Sequence, residues 1–273
     1  MTAYLATGFA GLDHEGDQAP FVDCLRLLGR LPGMAAVKAE TLARLGLAPG
    51  MRVLEVGCGL GVEAAAMAGL VCPGGLVVAL DASLGMLSRL EPAAVPGAVR
   101  LPLAGDATRL PLADASCDAC RVERTLQHVP DPGAALAEMA RVTRPGGRVL
   151  ALEPDWGTFV FDSELRETAR AVGEAWCDSF RSGWVGRRLP RLMAEAGLTV
   201  AAVSPRSLVS RDLAEAEAVY NLLATVGRAV ADGRLEASAG AALAAEQRQL
   251  DAAGRFFASL TFFLVEGLKP AAG

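Results

Sequence analysis

The residues best suited to chemistry in this sequence are a glutamate, a run of alternating glycines and two aspartates. Each follows directly on a short apolar run. Glu55-Val56-Gly57-Cys58-Gly59-Leu60-Gly61 stands between the apolar run 52–56 and the helical stretch 62–70. Glycines at such a junction let the chain turn tightly and bring bare backbone close to a ligand. The helix that follows presents unpaired N–H groups and the positive end of its dipole, which suits a carboxylate or phosphate. The spacing is not that of a dinucleotide loop, because position 62 is Val rather than lying within a Gly-x-Gly-x-x-Gly/Ala pattern. Glu55 would repel a pyrophosphate and attract an ammonium group. The next apolar run ends in Asp81, which can accept both ribose hydroxyls of a nucleoside. A third run ends in Gly105-Asp106-Ala107, where a carboxylate can accept from an exocyclic amine such as that of adenine. Together the acids describe a ligand made of an amine, a ribose and an adenine.

Positioning these residues calls for alternating strands and helices. Strands are expected at 52–56, 76–80, 99–104, 117–122 and 148–153, with helices at 62–70, 83–90 and 132–142, and Ser83 is placed to cap its helix. Ahead of them, 18–46 is helical with a break at Leu31-Pro32-Gly33. Behind them come helices at 162–180 and 186–196, a strand at 198–203, a helical stretch 212–254 broken near Asp232-Gly233, and a last strand at 256–264. Repeated β-α units of this length require a parallel sheet covered by helices on both faces. The division expected is an N-terminal helical cap over 1–45 and a main domain over 46–273, with helical insertions at about 157–196 and 205–254.

In order and spacing, Glu55–Gly61, Asp81, Gly105-Asp106-Ala107, Leu110-Pro111-Leu112, Cys117-Asp118, Leu126–Asp131 and Arg141–Gly147 resemble the class I S-adenosylmethionine-dependent methyltransferases. The nearest branch includes the ubiquinone/menaquinone methyltransferases and natural-product tailoring enzymes. The resemblance spans about residues 45–155. It implies an α/β, Rossmann-like, seven-stranded, mostly parallel sheet of order 3-2-1-4-5-7-6 with its last strand antiparallel. It implies S-adenosyl-L-methionine as cofactor, with Gly57, Cys58, Gly59 and Gly61 around the methionine part and Asp81 on the ribose. Asp106 and Ala107 would hold the adenine, Ala82 and Met86 would line the nucleoside, and Arg121 to Arg124 would flank the sulfonium.

A proton acceptor is needed only where the methyl acceptor is poorly ionised. His128, Glu123 and Asp155 lie just past the fourth and fifth strands and are the candidates. His128 also reads as a loop residue that shapes the pocket, and Glu123 with Arg124 as an ion pair. Cys117-x-x-Cys120 lies on a strand, where positions three apart face opposite ways, so core packing outweighs a metal site. Hydrophobic residues at 52% and charged residues at 21% of 273 give a well-packed chain. A net charge of -5 without a basic stripe argues against nucleic acid. No membrane span is expected, because no apolar run reaches about 18 residues. Met1 to Asp17 lacks the basic start of a secretory signal, and the six cysteines are scattered, so a reducing cytoplasm is expected. The reading is methyl transfer to a small, apolar, quinone-like or secondary-metabolite acceptor, with a homodimer left open. The alternatives are a cofactor-binding protein that does not methylate, cyclase-like or regulatory, and a nicotinamide-dependent oxidoreductase.

Overall fold

The computed structural model describes residues 8–14, 18–92 and 95–271, leaving aside the side chains of Ala10 and His14. Seven strands form one sheet: β1 (Arg52–Val56), β2 (Leu76–Asp81), β3 (Val99–Ala104), β4 (Cys117–Glu123), β5 (Thr143–Phe161), β6 (Thr199–Ser210) and β7 (Ala258–Leu268). Their order is β3-β2-β1-β4-β5-β7-β6. The first five run parallel, and β7 pairs antiparallel with both β5 and β6. This is the topology that the resemblance implies. The chain leaves β1 toward β2 on one side and returns to β4 on the other, so a crevice opens above the carboxyl ends of β1 and β4.

Around the sheet lie helices α1 (Ala19–Arg30), α2 (Pro32–Leu45), α3 (Val62–Val71), α4 (Leu84–Leu87), α5 (Pro132–Val142), α6 (Arg166–Asp178), α7 (Val185–Glu195), α8 (Leu213–Tyr220), α9 (Leu222–Ala231) and α10 (Ala237–Ala252). Two 3-10 turns, Phe9–His14 and Leu126–His128, complete the elements used below. Alternation along the strands sorts the core into two layers. Val53, Val77, Ala119, Leu150 and Leu152 pack with Phe21, Met34, Val37, Met67 and Trp176. Leu54, Val78, Cys120, Val122 and Val149 pack with Leu136, Met139, Leu189 and Met193. Cys117 and Cys120 are buried, with Thr143 Oγ1 3.1 Å from Cys120 Sγ.

Several elements differ from the sequence reading, β6 running to Ser210 rather than 203 and β7 to Leu268 rather than 264 among them. β5 runs to Phe161 rather than ending at Glu153, because β7 supplies a partner edge as far as Ala258. At its irregularity Thr158 Oγ1 accepts the Thr261 N–H at 3.0 Å, replacing a ladder bond. Helix α4 stops at Leu87 instead of Leu90, and the Glu91 N–H turns to the Leu60 carbonyl at 2.8 Å. The stretch 212–254 breaks at Asn221 as well, which adopts φ +48° while the Glu217 carboxylate takes the Leu223 and Ala224 N–H groups. Asn tolerates that left-handed conformation better than most residues. Ser83 caps α4 as expected, accepting from Met86 N at 3.1 Å.

Candidate functional site

Strand register decides what the acids at the sheet's edge can do. In the β1–β4 pair, Glu55 lies opposite Arg121. Period-two alternation then puts Glu55, Arg121 and Glu123 on one face, the face covered by α2. Arg121 is fully buried. It donates through Nη1 to Glu55, through Nη2 to Glu123, and through Nε to Thr41 Oγ1 at 3.0 Å. Lys38 Nζ stands 2.6 Å from Glu63 and 3.5 Å from Glu123. A buried charge without partners would cost several kcal/mol, so this arginine needs both acids. Burial favours the neutral form of Glu123, but Arg121, Lys38 and Arg124 outweigh it and hold the group at about 2. Burial pushes Glu55 up to about 8, with Arg121 pulling the other way. Glu55 Oε2 is buried and has no hydrogen-bond partner among the described residues.

Beside this network the glycine loop turns with Gly57, Gly59 and Gly61 at φ +69°, +52° and +67°. A Cβ at Gly57 would lie 2.0 Å from Thr125 Oγ1, so the close approach also excludes a side chain. The Cys58 N–H donates to the Leu80 carbonyl at 2.9 Å, and the Gly59 N–H to Asp81 Oδ2 at 2.8 Å. Asp81 Oδ1 accepts from Ser83 N at 2.9 Å. Asp81 therefore fastens the loop while keeping lone pairs for a ligand, and burial raises its pKa from its ordinary value. Asp106 Oδ1 accepts from both the N–H and the hydroxyl of Thr108 at 2.8 Å.

All these groups line one cavity of about 730 Å³. Glu55, Gly57, Cys58, Gly59, Gly61, Asp81, Ala82, Met86, Asp106, Ala107 and Arg121 are all on its wall, as are Glu123 and His128. The volume lies within the range of about 300–1,000 Å³ usual for small-molecule sites. Asp155 is not on the wall. It is fully buried and bound by Arg187 of α7, with Nη2 2.7 Å from Oδ1. The expectation that it faces an acceptor is corrected accordingly, since its oxygens are taken by Arg187 and the Gly157 N–H.

His128 lies between the rings of Phe9 and Phe180, with centroids 5.4 and 5.7 Å away. Burial lowers its pKa to about 3, aided by Arg124 and Arg181, and its Nδ1 is buried without a hydrogen-bond partner among the described residues. It is a neutral imidazole at neutral pH and a weak base. The loop that carries it is fixed from below by Glu153, which accepts the N–H groups of Thr125, Leu126 and Gln127 at 2.8, 2.8 and 3.4 Å. Trp156 stacks on Phe180 at 4.6 Å and donates to Gln127 Oε1.

Sequence reasoning missed the opposite wall. Phe9, Leu12, Asp13, Leu25 and Lys38 close the cavity from the N-terminal side, and Arg181 from the segment between α6 and α7. Asp13 accepts from Ser83 Oγ at 2.5 Å, Leu84 N at 2.8 Å and Gly85 N at 3.1 Å, tying the N-terminal turn to α4. Its only sequence signal is an acid, one of three with Glu15 and Asp17, before a helical stretch. His14, the second histidine, has a side chain outside those described.

A family model described as a methyltransferase domain matches residues 54–151. The chain is 40% identical over 249 residues to an uncharacterized 37.1 kDa protein of a Streptomyces fradiae transposon, covering 89% of this chain and 70% of that protein. It is 47% identical over 116 residues to the demethylmenaquinone methyltransferase of Mycobacterium sp. (strain KMS), covering 42% of this chain and 47% of the relative. The chain thus spans about half the length of that relative. Among solved structures, phosphoethanolamine N-methyltransferase 2 of Haemonchus contortus in complex with S-adenosyl-L-methionine shares the fold, with a TM-score of 0.58, 17% identity, and 96% and 60% of the two chains covered. With the strand order and the switch-point crevice in agreement with the family model, the chain carries a methyltransferase domain of the class I, S-adenosylmethionine-dependent topology.

Proposed function

We propose that the cavity above β1 and β4 binds S-adenosyl-L-methionine and that the chain transfers its methyl group to a small, mainly apolar acceptor. One observation carries this reading. The bare backbone of Gly57–Gly61, the Asp81 carboxylate and Asp106-Ala107 line one cavity together with a buried, unpartnered oxygen of Glu55. The residues fit the cofactor on that ground, because an orphaned carboxylate oxygen in a buried site is costly until a donor such as an ammonium group meets it. Glu55 would hold that ammonium, and the glycine loop its carboxylate. Asp81 would hold the ribose, Asp106 the adenine amine, and Met86 the nucleoside face. Arg121 would act from beneath, holding Glu55 in place rather than touching the cofactor.

When bound, S-adenosyl-L-methionine supplies a methyl group already activated by its sulfonium. What remains for the chain is to align the acceptor and exclude water. Phe9, Leu12 and Leu25 on one wall and the fixed loop 125–130 on the other do this. The acceptor of the mycobacterial relative's name makes a quinone-like molecule one reasonable candidate. Among the described residues no helix is long and apolar enough to cross a membrane. All six cysteines are free, which suits a reducing compartment such as the cytoplasm.

The test is calorimetry with S-adenosylhomocysteine. Binding is expected in the wild type, and Glu55→Gln should weaken it about tenfold, because an ammonium group brings Glu55 to its ionised form and Gln cannot ionise. A well-folded protein that binds neither this compound nor S-adenosylmethionine would refute the reading.

A further inference from the structure

The strand tips on the cavity wall differ in charge. The carboxylates Glu55, Asp81 and Asp106 stand at the tips of β1, β2 and β3. Past the tip of β4 the wall is Arg124, Thr125, Gln127, His128, Val129 and Pro130, joined by Arg181. The acids nearest this end are already committed. Glu123 is held by Arg121, and Glu153 is spent on three backbone N–H groups.

Arg124 is built in an unusual way. Its backbone adopts φ +49°, a conformation that a side chain other than glycine holds at a cost of order 1 kcal/mol. Its side chain is only 15% exposed, yet its sole ion pair is Nε to Glu123 at 3.2 Å. The two terminal nitrogens have no hydrogen-bond partner among the described residues. A mostly buried guanidinium with an unused fork of donors suits a planar anionic oxygen group. Arg181 is exposed at the same end and forms no ion pair among the described residues. The facing groups are the neutral His128 ring and Phe9.

We propose that Arg124, assisted by Arg181, binds an anionic oxygen on the methyl acceptor, so that the acceptor is an aromatic or otherwise conjugated acid: a carboxylate or an ionised phenol. This rests on the methyltransferase reading of the same cavity and narrows its acceptor. It also explains the lack of a competent proton acceptor at this end. Neutral His128 and ion-paired Glu123 need not take a proton if the acceptor arrives ionised, and the arginines favour its ionised form.

The probes are cinnamate, its neutral analogue cinnamamide, and 4-nitrophenolate, titrated with and without saturating S-adenosylhomocysteine. Cinnamate or 4-nitrophenolate should bind the wild type about tenfold more tightly than cinnamamide. Which of the two is preferred tells carboxylate from phenolate. Arg124→Met should abolish the preference for the anion, Arg124→Lys should restore part of it, and Arg181→Met should reduce it. Arg181→Met should leave S-adenosylhomocysteine affinity within about twofold. Equal binding of acid and amide by the wild type, or a preference that survives both methionine variants, overturns the proposal. Should Arg124→Met not fold, the exposed Arg181→Met and the Lys variant still decide. Loss of homocysteine-derivative binding with the anion preference intact would instead remove the cofactor reading and leave the anion site standing.

Discussion

Arg121 and His128 both lie at the cavity, but their environments give them different parts from those their residue types suggest. Arg121 has all three guanidinium nitrogens engaged by Glu55, Glu123 and Thr41, which suits it to orienting the acids. His128 is held near 3 by burial and by two arginines, so it stays neutral where a general base would titrate. That shift has a consequence for stability. The unfolded chain protonates this imidazole at its ordinary value of about 6.5, while the folded chain does so only near 3. Between those values the unfolded state binds more protons, so His128 makes the fold less stable as pH falls through the window. Replacing it with Gln should remove this loss. Relative to wild type, the variant should gain about 1–2 kcal/mol between neutral pH and about pH 4.5, read from urea melts at both. Parallel losses in the two proteins would show that His128 is not held neutral in the fold. Glu55 and Glu153 are pushed up to about 8 and act in the opposite sense, which is why the comparison is between variants and not along one curve.

At the scale of elements, the strand tips were legible because their signals are local. An apolar run followed by glycine or aspartate marks where a parallel strand ends, and β1, β2 and β3 end at such residues. The pairing of Glu55 with Arg121 was not legible, because it comes from the β1–β4 register and not from either segment. The same holds for β5 past Glu153. Pro154 and Gly157 read as turn residues, yet β7 offers an edge that overrides them. The N-terminal turn is the hardest case, since Asp13 finds its partners some 70 residues away. Asp13 does for α4 what a capping residue does, but from another element. Asp13→Ala should therefore loosen Phe9–His14 from α4, speed dissociation of S-adenosylhomocysteine and weaken its affinity about tenfold. Stopped-flow release and hydrogen exchange over residues 9–14 would check this. Unchanged release with unchanged protection would show that the contact does not hold that wall.

Across the whole molecule, the N-terminal wall is fastened in two separate ways. Far from the cavity, Glu40 of α2 binds Arg206 of β6, Arg44 reaches Glu266 of β7 at 2.6 Å, and Arg148 Nη1 donates to the Arg44 carbonyl at 2.8 Å. Close to the cavity, the turn Phe9–His14 is held by Asp13, by Gln18 through Arg89, and by the contact of Phe9 with Phe21. The distal clamps hold α2 to the sheet, whereas the turn Phe9–His14 is held by contacts at the cavity itself. Stability and cofactor affinity should then separate by position. Glu40→Gln removes a half-exposed network and should cost about 1 kcal/mol, a fall in Tm of roughly 2–4 °C, with affinity for S-adenosylhomocysteine unchanged. Asp13→Ala should do the reverse, leaving the Tm of the ligand-free protein within about a degree while lowering affinity. At a hundredfold excess over Kd, the ligand should stabilise wild type and Glu40→Gln alike by about 2.7 kcal/mol, because linkage depends on occupancy and not on the starting stability. A Glu40→Gln protein that binds the ligand markedly less well would mean that the two fastenings are coupled, with α2 itself moving when the cavity fills.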